Sequence, residues 1–115
     1  MQARVALVQE ICGILEEKKG EAIEVFDCNG TDYFVDYVVL VTALVDKHAL
    51  ALLESLQCLK EKGESFYRID DENPNWIVAD LGDIIVHIFT ENQRKKFNLE
   101  EFLQKLLQEK ENANV

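Results

Sequence analysis

The sequence predicts an α/β fold, a mixed sheet of about five strands packed with α-helices. Three observations predict it. Apolar residues recur at three- and four-residue steps near both ends of the chain and in its middle. Alternating or β-branched runs fill the stretches between these helical segments. The last two runs are close enough to form a hairpin, and strands that both alternate with helices and pair through short turns make a mixed sheet.

The first helix is predicted over roughly residues 2 to 19, where Val8, Ile11 and Leu15 form one stripe flanked by Leu7, Cys12 and Ile14, and Gly20 ends it. AIEVF at residues 22–26 alternates like a half-buried strand. After the Asn29-Gly30 turn signal, Tyr37-Val38-Val39-Leu40-Val41 is a continuous apolar run that suits a central strand covered on both faces. Asp46 is placed to cap a second helix with Ala49, Leu52, Leu53, Leu56 and Leu59 on its core face, broken at Lys62-Gly63. A short strand over residues 65–69 precedes an acidic loop, Asp70 to Asn75, that holds the single proline. Strands over residues 76–80 and 83–89 follow, separated only by Leu81 and Gly82. The last helix starts at Asn98, with Glu101 three residues on and Phe97 and Phe102 spaced as a hydrophobic staple. Its core stripe is Leu99, Phe102, Leu103, Leu106 and Leu107, and periodicity is lost from Gln108, so residues 108–115 read as a fraying tail.

A chain of 115 residues with 48% apolar and 30% charged residues is sized for one domain, 1–115, with one core. Twelve Lys and Arg against 22 Asp and Glu leave a net charge of −10, which repels phosphate backbones and favours a basic protein as partner. Glu10, Glu16 and Glu17 interrupt the N-terminal apolar residues, unlike a signal peptide, and no apolar run is long enough for a membrane span. Cys12, Cys28 and Cys58 are odd in number and far apart. A soluble cytoplasmic protein with reduced thiols is expected.

With Leu81 and Gly82 as the loop, residue 80 pairs with 83, 78 with 85 and 76 with 87, so Trp76 lies beside His87. One face then carries Ile77, Ala79, Ile84, Val86 and Ile88 and seats a helix. The other face, Trp76, Val78, Ile85 and His87, is apolar but holds an indole and an imidazole that each want a polar partner. Either a second helix buries it and His87 bonds to backbone, or it is a contact surface. Leu81 favours the contact surface, because an apolar residue at an exposed hairpin tip has nothing of its own to cover it.

Signals for catalysis and cofactors are missing. Asp80 and Asp83 flank the turn as a carboxylate pair, but acidic residues beside turns usually serve local hydrogen bonds, so no metal is expected there. His48 and His87 lack the partner spacing of a zinc site, and no glycine-rich phosphate loop occurs. The cysteines sit on helix core faces or among acidic neighbours, where a thiolate nucleophile is not favoured. Arg94, Lys95 and Lys96 form the one basic cluster, read as a solvated helix start with a peripheral RNA contact as the alternative.

Residues 75–103, NWIVADLGDIIVHIFTENQRKKFNLEEFL, resemble the C-terminal signature of the ribosomal silencing factor (Iojap-like) family: a Trp-strand, a D-x-G-D turn, a VHIF-like strand, an Arg and an aromatic-x-LE helix start. Upstream, DYVVLVTALVDKHALAL at residues 36–52 is similar to that family's corresponding segment. The resemblance implies a nucleotidyltransferase-like fold without the active site or a cofactor. It also implies a homodimer that binds the large ribosomal subunit through ribosomal protein L fourteen and blocks small-subunit joining. By resemblance the partner-contacting positions fall on Trp76, Leu81 and Phe97, where Phe97 replaces a tyrosine; Asp83 and His87 complete the candidate surface. Ala43-Leu44-Val45 stands where the family has Gly-Thr-Ser, and Phe102-Leu103 replaces a Leu-Trp pair. Two other readings stay open: a factor in large-subunit maturation, and a nucleotidyltransferase-like enzyme, against which Ala43-Leu44-Val45 offers no Gly-Ser phosphate motif.

Overall fold

A computed structural model describes residues 2–113, with side chains described over 4–109. The elements follow in the order α1 (Gln2–Glu17), β1 (Glu21–Asp27), β2 (Tyr37–Ala43), α2 (Asp46–Leu56), a 3₁₀ turn (Gln57–Lys62), β3 (Arg68–Asp70), β4 (Trp76–Asp80), β5 (Ile84–Thr90), α3 (Glu91–Phe97) and α4 (Leu99–Ala113). The five strands form one sheet in the order β1-β2-β5-β4-β3. Only β2 and β5 run parallel, and the other three pairs are antiparallel. The mixed α/β architecture is the one the sequence predicts.

The two central strands bury nearly every residue, which explains their unbroken apolar runs. On one face Val39, Val41, Ile77, Ala79, Ile84, Val86 and Ile88 meet the stripes of α1 (Leu7, Val8, Ile11, Leu15) and α2 (Ala49, Leu52, Leu53, Leu56). Each Val, Leu or Ile side chain so buried contributes roughly 1.5–3 kcal/mol by leaving water. On the other face Val38, Leu40, Ile85 and Phe89 pack with Leu103 of α4 and with Cys28 and Val35 of the β1–β2 connection.

Several boundaries differ from expectation for local reasons. Lys19, at φ 67, takes the left-handed position after α1, and Gly20 follows it: Lys19 N–H donates to the Glu16 carbonyl at 3.0 Å and Gly20 N–H to that of Leu15 at 2.8 Å. The need for glycine at 20 is steric, since a Cβ there would stand 2.6 Å from Val41 Cγ2. Val45, not Asp46, caps α2, and the Asp46 carboxylate accepts from Lys47 N–H at 2.9 Å. The sheet register confines β3 to Arg68–Asp70, opposite Asp80 to Val78.

At the C-terminal end a separate helix, α3, precedes Asn98. Its polar sequence ENQRKKF has no apolar stripe by which to read it. Asn98, at φ 45, is therefore the left-handed cap of α3, and its amide donates to Glu101 Oε2 at 2.7 Å instead of capping α4 in the expected manner. Phe102 is 51% exposed and lies off the core stripe. The helix continues through residue 108 to Ala113, and residues 114–115 of the expected tail lie outside the described range.

Candidate protein-docking surface

The β4–β5 hairpin closes one residue later than predicted. Leu81 N–H donates to the Ile84 carbonyl at 2.9 Å, which leaves Gly82 and Asp83 as the two-residue loop. Gly82 has φ 97, the positive value that the first loop position of a type II′ hairpin turn requires. The pairs become Asp80 with Ile85, Val78 with His87 and Trp76 with Phe89. Each pairing partner shifts by two residues, an even number, so each residue keeps its predicted face.

That slip removes the exposed leucine. Leu81 is 8% exposed and belongs to the core shared with α1 and α2, so it is not the bare hairpin-tip residue that the sequence led us to expect. Asp83 sits in the loop itself, where Arg4 of α1 grips its carboxylate with two hydrogen bonds, Nε to Oδ2 at 2.6 Å and Nη2 to Oδ1 at 2.5 Å. The neighbouring carboxylate of Asp80 accepts from Gly82 N–H at 2.7 Å, the local role expected beside a turn.

Trp76, His87 and Phe97 do come together. Trp76 is half-buried on the sheet face away from α1 and α2, diagonal to His87. Its indole N–H donates to His87 Nδ1 at 3.0 Å, so the one polar atom of the ring is satisfied within the protein. His87 is buried, and desolvation pushes its pKa down from 6.5 to about 4, leaving a neutral ring with a lone pair for the indole. The imidazole supports the indole from beneath and offers little of itself to a partner.

Phe97 ends α3 and turns back over the same place, its ring centroid 4.6 Å from that of Trp76 at an interplanar angle of 44°. The tilt suits the aromatic quadrupoles. Phe97 nevertheless stays 49% exposed, and Lys96 Nζ lies 5.7 Å from its ring centroid, rimming the surface with a positive charge. Phe102 approaches Tyr33 at 5.9 Å, so Trp76 is the ring that Phe97 packs on, not its expected staple partner. Sequence reasoning did not find Phe89 opposite Trp76, with ring centroids 6.0 Å apart; reading Gly82 as the first loop residue would have placed it there.

Arg94 departs most from expectation. It is 7% exposed, with Nη1 donating to the Ala22 carbonyl and to Thr42 Oγ1, both at 2.8 Å, and Nε to Glu100 Oε1 at 2.7 Å. Its guanidinium also lies 5.6 Å from the Phe89 ring centroid. So placed, it ties α3 and α4 to β1 and β2 and leaves little of itself to solvent, while Lys95 and Lys96 remain exposed. Arg94 holds the Glu100 carboxyl below its usual range, whereas burial and the nearby Glu100 raise that of Glu24. His48 is likewise internal in role: Nδ1 accepts from Leu44 N–H at 2.9 Å, so Nε2 carries the hydrogen and donates to the Lys18 carbonyl at 2.8 Å.

Burial raises the Cys12 thiol, which disfavours its thiolate. Among the described residues no group of three His, Cys, Asp or Glu is placed to hold a metal, and no helix is long and apolar enough to cross a membrane. The Trp76 indole, its N–H satisfied by His87, lies tilted against the half-exposed ring of Phe97, and these two are the candidate docking residues.

A family model described as "Ribosomal silencing factor during starvation" matches residues 1–114. The chain belongs to that ribosomal silencing factor family. Similar proteins include the ribosomal silencing factor RsfS of Haemophilus influenzae, 32% identical over 98 residues that span 84% of this chain and 96% of that protein. The chloroplastic Iojap protein of Zea mays is 33% identical over 87 residues, 75% of this chain and 38% of that protein. Two solved structures share the fold at 26% identity. One, from Chromobacterium violaceum, has a TM-score of 0.78 and an alignment covering 84% of this chain and 85% of that one. The other, from Bacillus halodurans, has a TM-score of 0.75 and covers 84% and 92%. The silencing-factor signature of residues 75–103 falls on β4, β5, α3 and the start of α4, the elements that build the Trp76 and Phe97 surface.

Proposed function

We propose that this chain docks through Trp76 and Phe97 on the large ribosomal subunit in the cytoplasm, at ribosomal protein L fourteen. Its bulk there keeps the small subunit from joining, and translation is repressed. The observation that carries this reading is the pair itself: a half-buried indole whose N–H is already satisfied by His87, packed at a tilt against a phenyl ring left 49% exposed. Rigid aromatic side chains of this kind dominate protein interfaces, because they bury much area at small cost in side-chain entropy. The net charge of −10 favours encounter with a basic ribosomal protein. The act is steric and makes or breaks no bond.

Cosedimentation with purified large subunits tests the proposal. Trp76→Ala and Phe97→Ala should each weaken binding by about tenfold or more, the loss typical of a central aromatic contact, while thermal unfolding of Phe97→Ala stays near that of the parent. Undiminished cosedimentation of both variants would remove the Trp76 and Phe97 surface from the docking model. Addition of small subunits to preformed complexes then reads the block directly as a missing joined particle.

A further inference from the structure

A second aromatic group lies on the connection between β1 and β2, and the docking surface does not use it. Phe34 is 67% exposed and Phe102 of α4 is 51% exposed, with Tyr33 between them at ring-centroid distances of 4.6 Å from Phe34 and 5.9 Å from Phe102. The loop holds this arrangement firmly. Cys28 and Val35 are buried on the sheet, Thr31 Oγ1 donates to the Cys28 carbonyl at 2.6 Å and accepts from Tyr33 N–H at 3.1 Å. Tyr33 and Val35 turn inward while Phe34, between them, turns to solvent. Core packing therefore accounts for the neighbours of Phe34 and leaves its own ring uncovered.

The β1–β2 connection that carries Tyr33 and Phe34 is acidic. Residues 27–36, DCNGTDYFVD, hold Asp27, Asp32 and Asp36 and no basic residue, and the whole stretch 20–46 has none. On α4 Glu101 stands next to Phe102, and the Lys105 ammonium is engaged by Glu101 at 3.3 Å. An acidic frame of this kind repels nucleic acid and anionic lipid and attracts cations, which also stack favourably on phenyl and phenol faces.

We propose that Phe34, Tyr33 and Phe102, framed by Asp32 and Asp36 of the β1–β2 connection, are a second protein-docking site that takes a basic segment of a partner protein carrying both apolar and Lys or Arg side chains. It shares no residue with the Trp76 and Phe97 surface and does not rest on the ribosomal reading. With both sites occupied the chain bridges two proteins.

Titration of the isotope-labelled full chain with an amphipathic helical peptide of Leu and Lys, followed by amide NMR, tests this site. Shifts should concentrate at residues 31–36 and 101–105, and the same peptide with Glu for Lys should leave them unmoved. Phe34→Ser and Phe102→Ser should each weaken the peptide by about tenfold. The double variant Asp32→Lys with Asp36→Lys, which leaves every apolar contact in place, should weaken it several-fold at low salt and less at high salt. Shifts confined to Trp76, His87 and Phe97, equal binding of the Glu peptide, or no saturable shift at millimolar peptide would overturn the proposal. Cosedimentation of the Asp32→Lys, Asp36→Lys chain with large subunits is a separate readout, so failure of one site is distinguishable from failure of the other.

Discussion

The indole N–H of Trp76 points inward to His87 Nδ1 at 3.0 Å, not outward to a partner. This direction divides the two residues by role. Trp76 presents the apolar part of its ring, and His87 fixes the orientation of that ring from below. Replacement of His87 by Gln keeps an acceptor for the indole, whereas replacement by Leu removes it and leaves a donor to be desolvated, at a cost of about 1–3 kcal/mol. Docking on large subunits should therefore survive His87→Gln better than His87→Leu, and the fluorescence anisotropy of Trp76, the one tryptophan, should fall in His87→Leu alone. Equal behaviour of the two variants would mean that the hydrogen bond does not position the ring.

Burial of His87 also makes stability depend on pH. In the unfolded chain the imidazole takes up its proton at the ordinary value of 6.5, while in the folded chain it does so only at about 4. Between these values the unfolded state binds more protons, so acidification favours unfolding. The contribution, on the order of 3 kcal/mol, is fully present above pH 6.5, is lost as pH falls toward 4 and then levels off. Urea midpoints measured from pH 7 to pH 4.5 should drop more steeply in the parent than in His87→Gln. Parallel slopes would assign the acid sensitivity to other groups.

Gly20 gives a purely steric prediction. A methyl group there would meet Val41 Cγ2 at 2.6 Å and the Leu15 carbonyl oxygen at 3.0 Å. Val41 is fully buried and β-branched, so it has little freedom to move aside. Gly20→Ala should cost about 1–3 kcal/mol as an overpacked contact, despite the usual gain from replacing glycine. A denaturant midpoint equal to that of the parent would show that the α1–β1 turn relaxes freely.

Arg94 is expected to act on stability and not on RNA. Its guanidinium satisfies the Ala22 carbonyl, Thr42 Oγ1 and Glu100 from a nearly dry position. Arg94→Ala leaves those groups without their donor and should destabilise by about 3–5 kcal/mol. Arg94→Lys should recover only part, because one ammonium cannot span the same fork of acceptors. Lys95→Ala, at an exposed i,i+4 pair with Glu91, should change unfolding by no more than about 0.5 kcal/mol. The comparison is read by chemical denaturation of the three variants.

These outcomes also mark where the sequence was legible. The core stripes of α1 and α2, the doubly buried β2 and the two faces of the β4–β5 hairpin follow from periodicity alone, because burial imposes it. The meeting of Trp76 with His87 was legible for the same reason, since a register shift of two residues leaves face parity unchanged. Arg94 was not. A long cationic side chain in a run of polar residues carries no local sign that its partners lie 72 and 52 positions away at Ala22 and Thr42. The α3–α4 junction was hidden as well, because Asn98 caps the end of one helix where its neighbours read as the start of another.

Leu81 decides between two accounts of the hairpin. As an exposed contact it would lose binding and leave the fold alone when truncated. At 8% exposure, within the core that includes α1 and α2, it should instead lose roughly 2–5 kcal/mol on Leu81→Ala, through the transferred methyl groups and the cavity left behind. Any loss of large-subunit binding should then track the unfolded fraction and recover at lower temperature. Gly82 and Asp83 form the turn beside it, and a chain with Leu81→Met should keep both stability and docking, because the volume is conserved. A Leu81→Ala protein that melts with the parent and yet fails to dock would restore the exposed-contact account and require the hairpin to open on binding.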